Sequence, residues 1–220
     1  MKLKLNPYFC GLAICSLLLA GCENLDRSRD TANPNVAGKT LALQVCATCH
    51  GVDGNSVSPF FPKLAGQQPD YLVDQIKNFR SHQRSDAVGV QHMWGLAKNL
   101  TDAQIKEIAD YYASQTSERN HVRTNPEEMA QGKAIYDKGL LDKGTPPCIA
   151  CHGPNGQGMG AFPRLANQHA DYIIKQLQVF QDTDDRPGTP MKQVSHPLTS
   201  DEMKAVAMYL ESFPIEAKSN

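Results

Sequence analysis

Four stretches of this chain place apolar residues at helical spacing, and no stretch alternates apolar and polar positions as a strand does. Ile105, Ile108, Ala109 and Tyr112 stand at i, i+3, i+4 and i+7, and Met203, Val206, Ala207 and Leu210 repeat that pattern. Each of these stripes follows a capping box, Thr101-Asp-Ala-Gln104 and Thr199-Ser-Asp-Glu202. There the hydroxyl accepts from the third helical N–H while the Gln or Glu side chain reaches back to the cap. Leu72, Ile76 and Phe79 form a shorter stripe, mirrored by Ile173, Leu177 and Phe180. The pattern predicts an all-α protein, and the pairing of the stripes predicts that it is built twice.

The duplication extends well beyond the stripes. Gly38-Lys39 corresponds to Gly132-Lys133, and Phe61-Pro62-Lys63-Leu64-Ala65 to Phe162-Pro163-Arg164-Leu165-Ala166. Gln67, Asp70, Tyr71, Gln75 and Phe79 match Gln168, Asp171, Tyr172, Gln176 and Phe180, and Met93 matches Met191. Between the Gly-Lys pair and the next shared motif, the second unit is eight residues longer and includes Gly139, Gly144, Pro146 and Pro147. The expected organisation is a first unit over 37–117, a polar linker over 118–125 and a second unit over 126–220.

That next shared motif carries the chemistry. Cys46-Ala-Thr-Cys49-His50 recurs as Cys148-Ile-Ala-Cys151-His152, two C-x-x-C-H boxes. Two thiols at this spacing can add to the two vinyl groups of one haem, and the adjacent imidazole then lies beneath the iron as an axial ligand. A thioredoxin-like redox pair would need a βαβ setting and no obligatory His, while a zinc site would need both boxes to converge on one ion. The boxes predict two covalently attached haem c groups.

Composition agrees with this. Aromatic residues are only 7% of the chain against 40% hydrophobic residues, a shortfall that two porphyrins would offset as core. Of seven cysteines, Cys10 and Cys15 lie in the leader, Cys22 ends it and four fill the boxes, so no thiol remains for a disulfide, a nucleophile or an axial ligand. The formal charge of −1 argues against nucleic acid as a partner.

Lys2 and Lys4 precede a mostly apolar run from Phe9 to Ala20, too short to span a bilayer, which predicts a signal peptide over 1–21. Leu19-Ala20-Gly21-Cys22 resembles the bacterial lipoprotein signal, in which the Cys becomes the first mature residue and carries lipid; an ordinary signal with an incidental Cys22 is the alternative. The polar segment 22–36 reads as a flexible tether.

For the second axial position, Met93 and Met191 occupy matched positions ahead of the capping boxes, where loops are expected. Met159 is too near His152, Met203 and Met208 belong to the last helix, and Met129 lies near the start of the second unit. A lone Met is more often core filler, but duplication reverses that expectation here. His92 competes with Met93 and would give a bis-His haem of lower potential. His82, His121, His169 and His196 occupy no repeated position and read as solvated or hydrogen-bonding side chains. Trp94 either packs beside the first haem or belongs to a partner surface.

Taken together, these residues resemble the diheme cytochrome c4 family, two class I cytochrome c domains in tandem, over about Gly38 to Phe213. The resemblance implies that the carbonyls of Pro62 and Pro163 receive the proximal imidazoles, and that the propionate edges of the haems meet between the domains. It also implies a periplasmic electron carrier working with redox proteins such as a quinol-cytochrome c reductase and a terminal oxidase, with no small-molecule substrate. A diheme peroxidase or a thiosulfate or tetrathionate oxidoreductase would need a labile or Cys sixth ligand, and no Cys is spare. A cytochrome subunit of a larger dehydrogenase is a third reading.

Overall fold

The computed structural model describes residues 28–213, so the predicted signal peptide and Cys22 lie outside the described residues. The first unit begins with α1 (Gly38–Leu41), runs on through a π-helical turn (Ala42–Cys46) into α2 (Ala47–His50), and continues with α3 (Pro69–Arg80), α4 (Ala87–Ala97) and α5 (Asp102–Ala113). The second contains α6 (Pro126–Lys138), a 3₁₀ turn (Leu141–Lys143), α7 (Ile149–His152), α8 (Ala170–Asp182), α9 (Met191–Ser195) and α10 (Ser200–Glu211). Among the described residues there is no strand, only two isolated bridges, Leu140 with Thr145 and Met159 with Phe162.

Both capping boxes form as expected. Thr101 accepts from the Gln104 N–H at 3.2 Å and its own N–H donates to Gln104 Oε1 at 3.0 Å; the corresponding distances for Thr199 and Glu202 are 3.3 and 2.8 Å. The stripes behind them are buried, with Tyr112 and Ala207 fully covered. Within each unit the first helix crosses the last, and a glycine sits at the crossing. A Cβ on Gly38 would lie 2.4 Å from the Gln104 carbonyl oxygen, and one on Gly132 would lie 2.1 Å from that of Ala205. The repeated Gly-Lys pair thus marks the place where two backbones touch.

The eight extra residues of the second unit have a local cause. In the first unit the entering helix winds through the π turn directly into Cys46. In the second it stops at Gly139, and the chain makes a small loop closed by the Leu140–Thr145 bridge before reaching Cys148.

Two connecting segments are more ordered than their polarity predicts. Ser28 Oγ donates to Gln44 Oε1 at 2.6 Å, Gln104 Nε2 donates to the carbonyls of Asn33 and Val36 at 2.9 and 2.8 Å, and Val36 is buried. Of the expected tether over 22–36, residues 22–27 lie outside the described residues, and from Ser28 onward the chain lies on the first unit. The linker is pinned as well. The Glu118 N–H donates to Asn55 Oδ1 at 2.9 Å and its carbonyl accepts from Lys63 Nζ at 2.8 Å, while Asn120 Nδ2 donates to Glu211 Oε1 at 2.7 Å.

Candidate haem sites

His50 and His152 are the last residues of α2 and α7, and the glycine after each adopts φ near +80°, which turns the chain away and leaves the imidazole at the end of the box. Each imidazole is buried, and its Nδ1–H donates to a proline carbonyl at 2.9 Å, His50 to Pro62 and His152 to Pro163. Because a carbonyl can only accept, these bonds fix the tautomer and leave Nε2 with its lone pair free. Burial pushes both imidazoles below their ordinary pKa, outweighing the opposite pull of the proline carbonyls, so both are neutral. Phe61 and Phe162 stand edge-on to them, with centroids 6.1 and 6.3 Å away.

Burial pushes the thiols of Cys46 and Cys148 up to about 11. A redox Cys-x-x-Cys pair depends on the opposite shift, toward thiolate. Among the described residues no group of three or more His, Cys, Asp or Glu side chains is placed to hold a metal ion, so a shared zinc site does not form.

A largely apolar cavity of about 770 Å³ is lined by all four box cysteines, His50, His152, Pro62, Pro163, Met93 and Met191. His92 lines it too, but is exposed, whereas Met93 is partly buried. The methionines differ from expectation in their setting. Met93 lies inside α4, which follows Asp86, and Met191 opens the short α9, which follows Pro190. Trp94 is not among the lining residues; it stacks on His82 with centroids 3.9 Å apart and donates from Nε1 to the Arg84 carbonyl. His169 belongs to the hydrogen-bonding class, buried between the units with Nε2 donating to the Ser56 carbonyl at 2.8 Å.

Of the charged part of the wall, the repeat showed Lys63 and Arg164 as a matched pair but not Arg84 and Arg186. Lys63, Arg84, Arg164, Lys175 and Arg186 line the cavity, against Asp74 and Asp86. Arg84 stacks on Phe79 and Arg186 on Phe180, each with its guanidinium 4.5 Å from the ring centroid. Gln75 Oε1 accepts from both arginines at 2.8 Å, and Gln176 Oε1 also accepts from both. Arg84 further meets Asp86 at 2.7 Å; burial works against that carboxylate, but the charge and hydrogen bond of Arg84 win and hold it below its ordinary pKa. Sequence comparison missed the arginines because they fall one residue out of register, five after Phe79 and six after Phe180.

Arg164 bears most directly on whether an acid group fits this wall. It is buried, burial pushes it down to about 10 so that it stays a cation at neutral pH, and its Nε and Nη2 have no partner. A buried, unpaired guanidinium is costly. An apolar group that carries acid chains, such as a haem with its propionates, fits both this wall and the boxes.

A doubled attachment turn opening on one apolar, cation-edged cavity defines a c-type cytochrome with two haem-binding units. The cytochrome c family model matches residues 36–116 and 129–214. Cytochrome c4 of Pseudomonas aeruginosa is 36% identical over 205 residues, covering 91% of this chain and 97% of its own. The crystal structure of reduced cytochrome c4 from Pseudomonas stutzeri superposes with a TM-score of 0.72 at 36% identity, over 80% of this chain and 97% of that one. A thiosulfate dehydrogenase electron acceptor of Thiomonas intermedia is 35% identical over 176 residues, 77% of this chain and 79% of its own. The chain belongs to the cytochrome c4 family, carries two haem c groups and is an electron carrier.

Proposed function

We propose that this protein is a periplasmic, membrane-tethered cytochrome that relays electrons from a quinol-cytochrome c reductase toward a terminal oxidase. In the first unit Cys46 and Cys49 would hold the haem by thioethers, with His50 and Met93 on the iron. In the second, Cys148 and Cys151 hold it, with His152 and Met191 as ligands. The bound haem supplies a one-electron ferric–ferrous couple. The chain's own residues do the rest: the prolines orient the imidazoles, the apolar walls keep water out, and the cationic edge balances acid groups. The observation that carries this reading is the single cavity shared by both boxes, which puts two redox groups in one low-dielectric interior.

The name of the Thiomonas relative favours a second electron source, a thiosulfate-oxidising dehydrogenase for which this chain would be the acceptor. The test offers the reduced protein separately to oxidase-containing membranes, hydrogen peroxide, thiosulfate and carbon monoxide, and the oxidised protein to a thiosulfate dehydrogenase. Rapid reoxidation by membranes alone is expected. Turnover of peroxide or thiosulfate by the isolated protein, or stoichiometric carbon monoxide binding at neutral pH, would overturn the carrier reading. The tether rests on Leu19-Ala20-Gly21-Cys22. A Cys22→Ser protein should leave the membrane fraction in a high-salt wash, and one that stays behind argues against a lipid anchor.

Closed coordination makes a separate prediction. Met93→Ala should remove about half of the weak far-red Fe–S(Met) band of the oxidised protein and lower one potential only. An intact band with unchanged potentials would make His92 the ligand.

A further inference from the structure

Gln67 and Gln168 correspond in the repeat, and each reaches across to the other unit. Gln168 Oε1 accepts from the Lys63 N–H at 2.8 Å while its Nε2 donates to the Lys63 carbonyl at 3.0 Å. Reciprocally, Gln67 Oε1 accepts from the Arg164 N–H at 2.6 Å and its Nε2 donates to the Arg164 carbonyl at 3.0 Å. Both amides are buried, and each Oε1 also accepts the next backbone N–H of its own unit, from Gln68 at 3.0 Å and from His169 at 3.1 Å. Two N–H donors converging on one amide atom require it to be the oxygen, so the orientation of each amide is set by its partners.

Of the two peptide groups that each glutamine engages, the one that donates its N–H to Oε1 also holds the imidazole. The Lys63 N–H shares its peptide with the Pro62 carbonyl, which accepts from His50 Nδ1 at 2.9 Å; the Arg164 N–H shares its peptide with the Pro163 carbonyl, which accepts from His152. A peptide whose N–H is bonded becomes a better acceptor at its oxygen, so the two bonds strengthen each other in a buried setting. A stronger acceptor at Nδ1–H raises the basicity of the imidazole at Nε2.

We infer that Gln168 and Gln67 are positioning residues that tune the proximal histidine of the opposite unit, each through one polarised peptide. This rests on the reading of His50 and His152 as iron ligands. Under it, the electron affinity of each haem depends on the other unit being docked, because half of the relay comes from the neighbour. A more basic imidazole favours the ferric state, so loss of the glutamine raises the potential of the haem across the interface.

The test uses Gln168→Met in the full diheme protein, which keeps side-chain length and removes both bonds. NMR of the reduced protein reads the Nδ1–H resonances of His50 and His152, and a spectroelectrochemical titration reads both potentials. In the unaltered protein, porphyrin ring-current shifts on the ring protons of both histidines test the ligand assignment independently of any variant. Gln168→Met is expected to move the His50 Nδ1–H resonance upfield and to raise one potential, leaving His152 and the second potential in place. Gln67→Met should do the reverse. The control is Gln68→Ala, which removes another side-chain bond across the interface, to the Gln157 carbonyl at 2.9 Å, and keeps the backbone N–H that donates to Gln67. The relay is overturned if Gln168→Met leaves His50 and both potentials unmoved, if it shifts both haems alike, or if Gln68→Ala has the same effect.

Discussion

A chain with Cys148→Ala and Cys151→Ala is expected to retain one covalent haem in place of two after denaturing acid extraction, with the first unit's spectrum intact. Each box has its own two thiols and no other cysteine of the body can substitute, so loss in one unit is not rescued by the other. The structural effect should fall mainly on the second unit. Ile135, Leu177 and Leu210 belong both to its core and to the cavity wall, and without the attached group their cavity faces stand open to water. Deleting large buried groups from cores costs roughly 2–5 kcal/mol per side chain, and a haem is larger than any of them. Thermal unfolding should split into an early transition for the second unit and a later one for the first. Two covalent haems surviving in this variant would mean that the boxes are not the attachment points.

Gly132→Ala should be nearly as damaging, though it adds one methyl. The new Cβ would lie 2.1 Å from the Ala205 oxygen and 2.7 Å from Tyr209 Cβ, and the nearest atom is backbone that cannot swing aside. Overpacking of this kind costs about 3 kcal/mol at the upper end of its usual range, enough to lower the midpoint of a unit this size by on the order of 10 °C. Gly95→Ala is the matched control, since it lies in a helix with nothing within 4 Å of its Cβ. There the same substitution should raise stability by roughly 0.5–1 kcal/mol. Calorimetry of the two variants side by side separates contact from propensity; equal effects would remove the close-crossing explanation.

These two glycines show what the sequence can express. Gly132 was visible as a partner of Gly38 in the repeat, yet its reason, a backbone oxygen contributed by a helix more than seventy residues away, was not. The boxes, capping boxes and apolar stripes are local, so their spacing alone predicts them. Met93 was matched to Met191 by correspondence but given a loop, because Ala87-Val-Gly-Val-Gln-His-Met-Trp is apolar on too many sides to show a helical stripe. Gln67 and Gln168 were matched without a role, since their partners sit on the opposite unit. Arg84 and Arg186 escaped through a one-residue slip in register, although they meet across the units at two shared glutamines. Contacts between units leave no period in a sequence.

The docking of Ser28 and Val36 on the first unit also sets a length. With the proposed acyl chain on Cys22, only six residue steps separate the bilayer from the first fixed point of the body, about 20 Å of contour whatever path they take. A leash that short would hold the carrier close to the bilayer and turn its search for partners into a two-dimensional one. It would also be selective. Redox proteins that present their electron entry close to the bilayer would be met constantly at high effective concentration, while those that hold it on a tall extramembrane domain would stay out of reach.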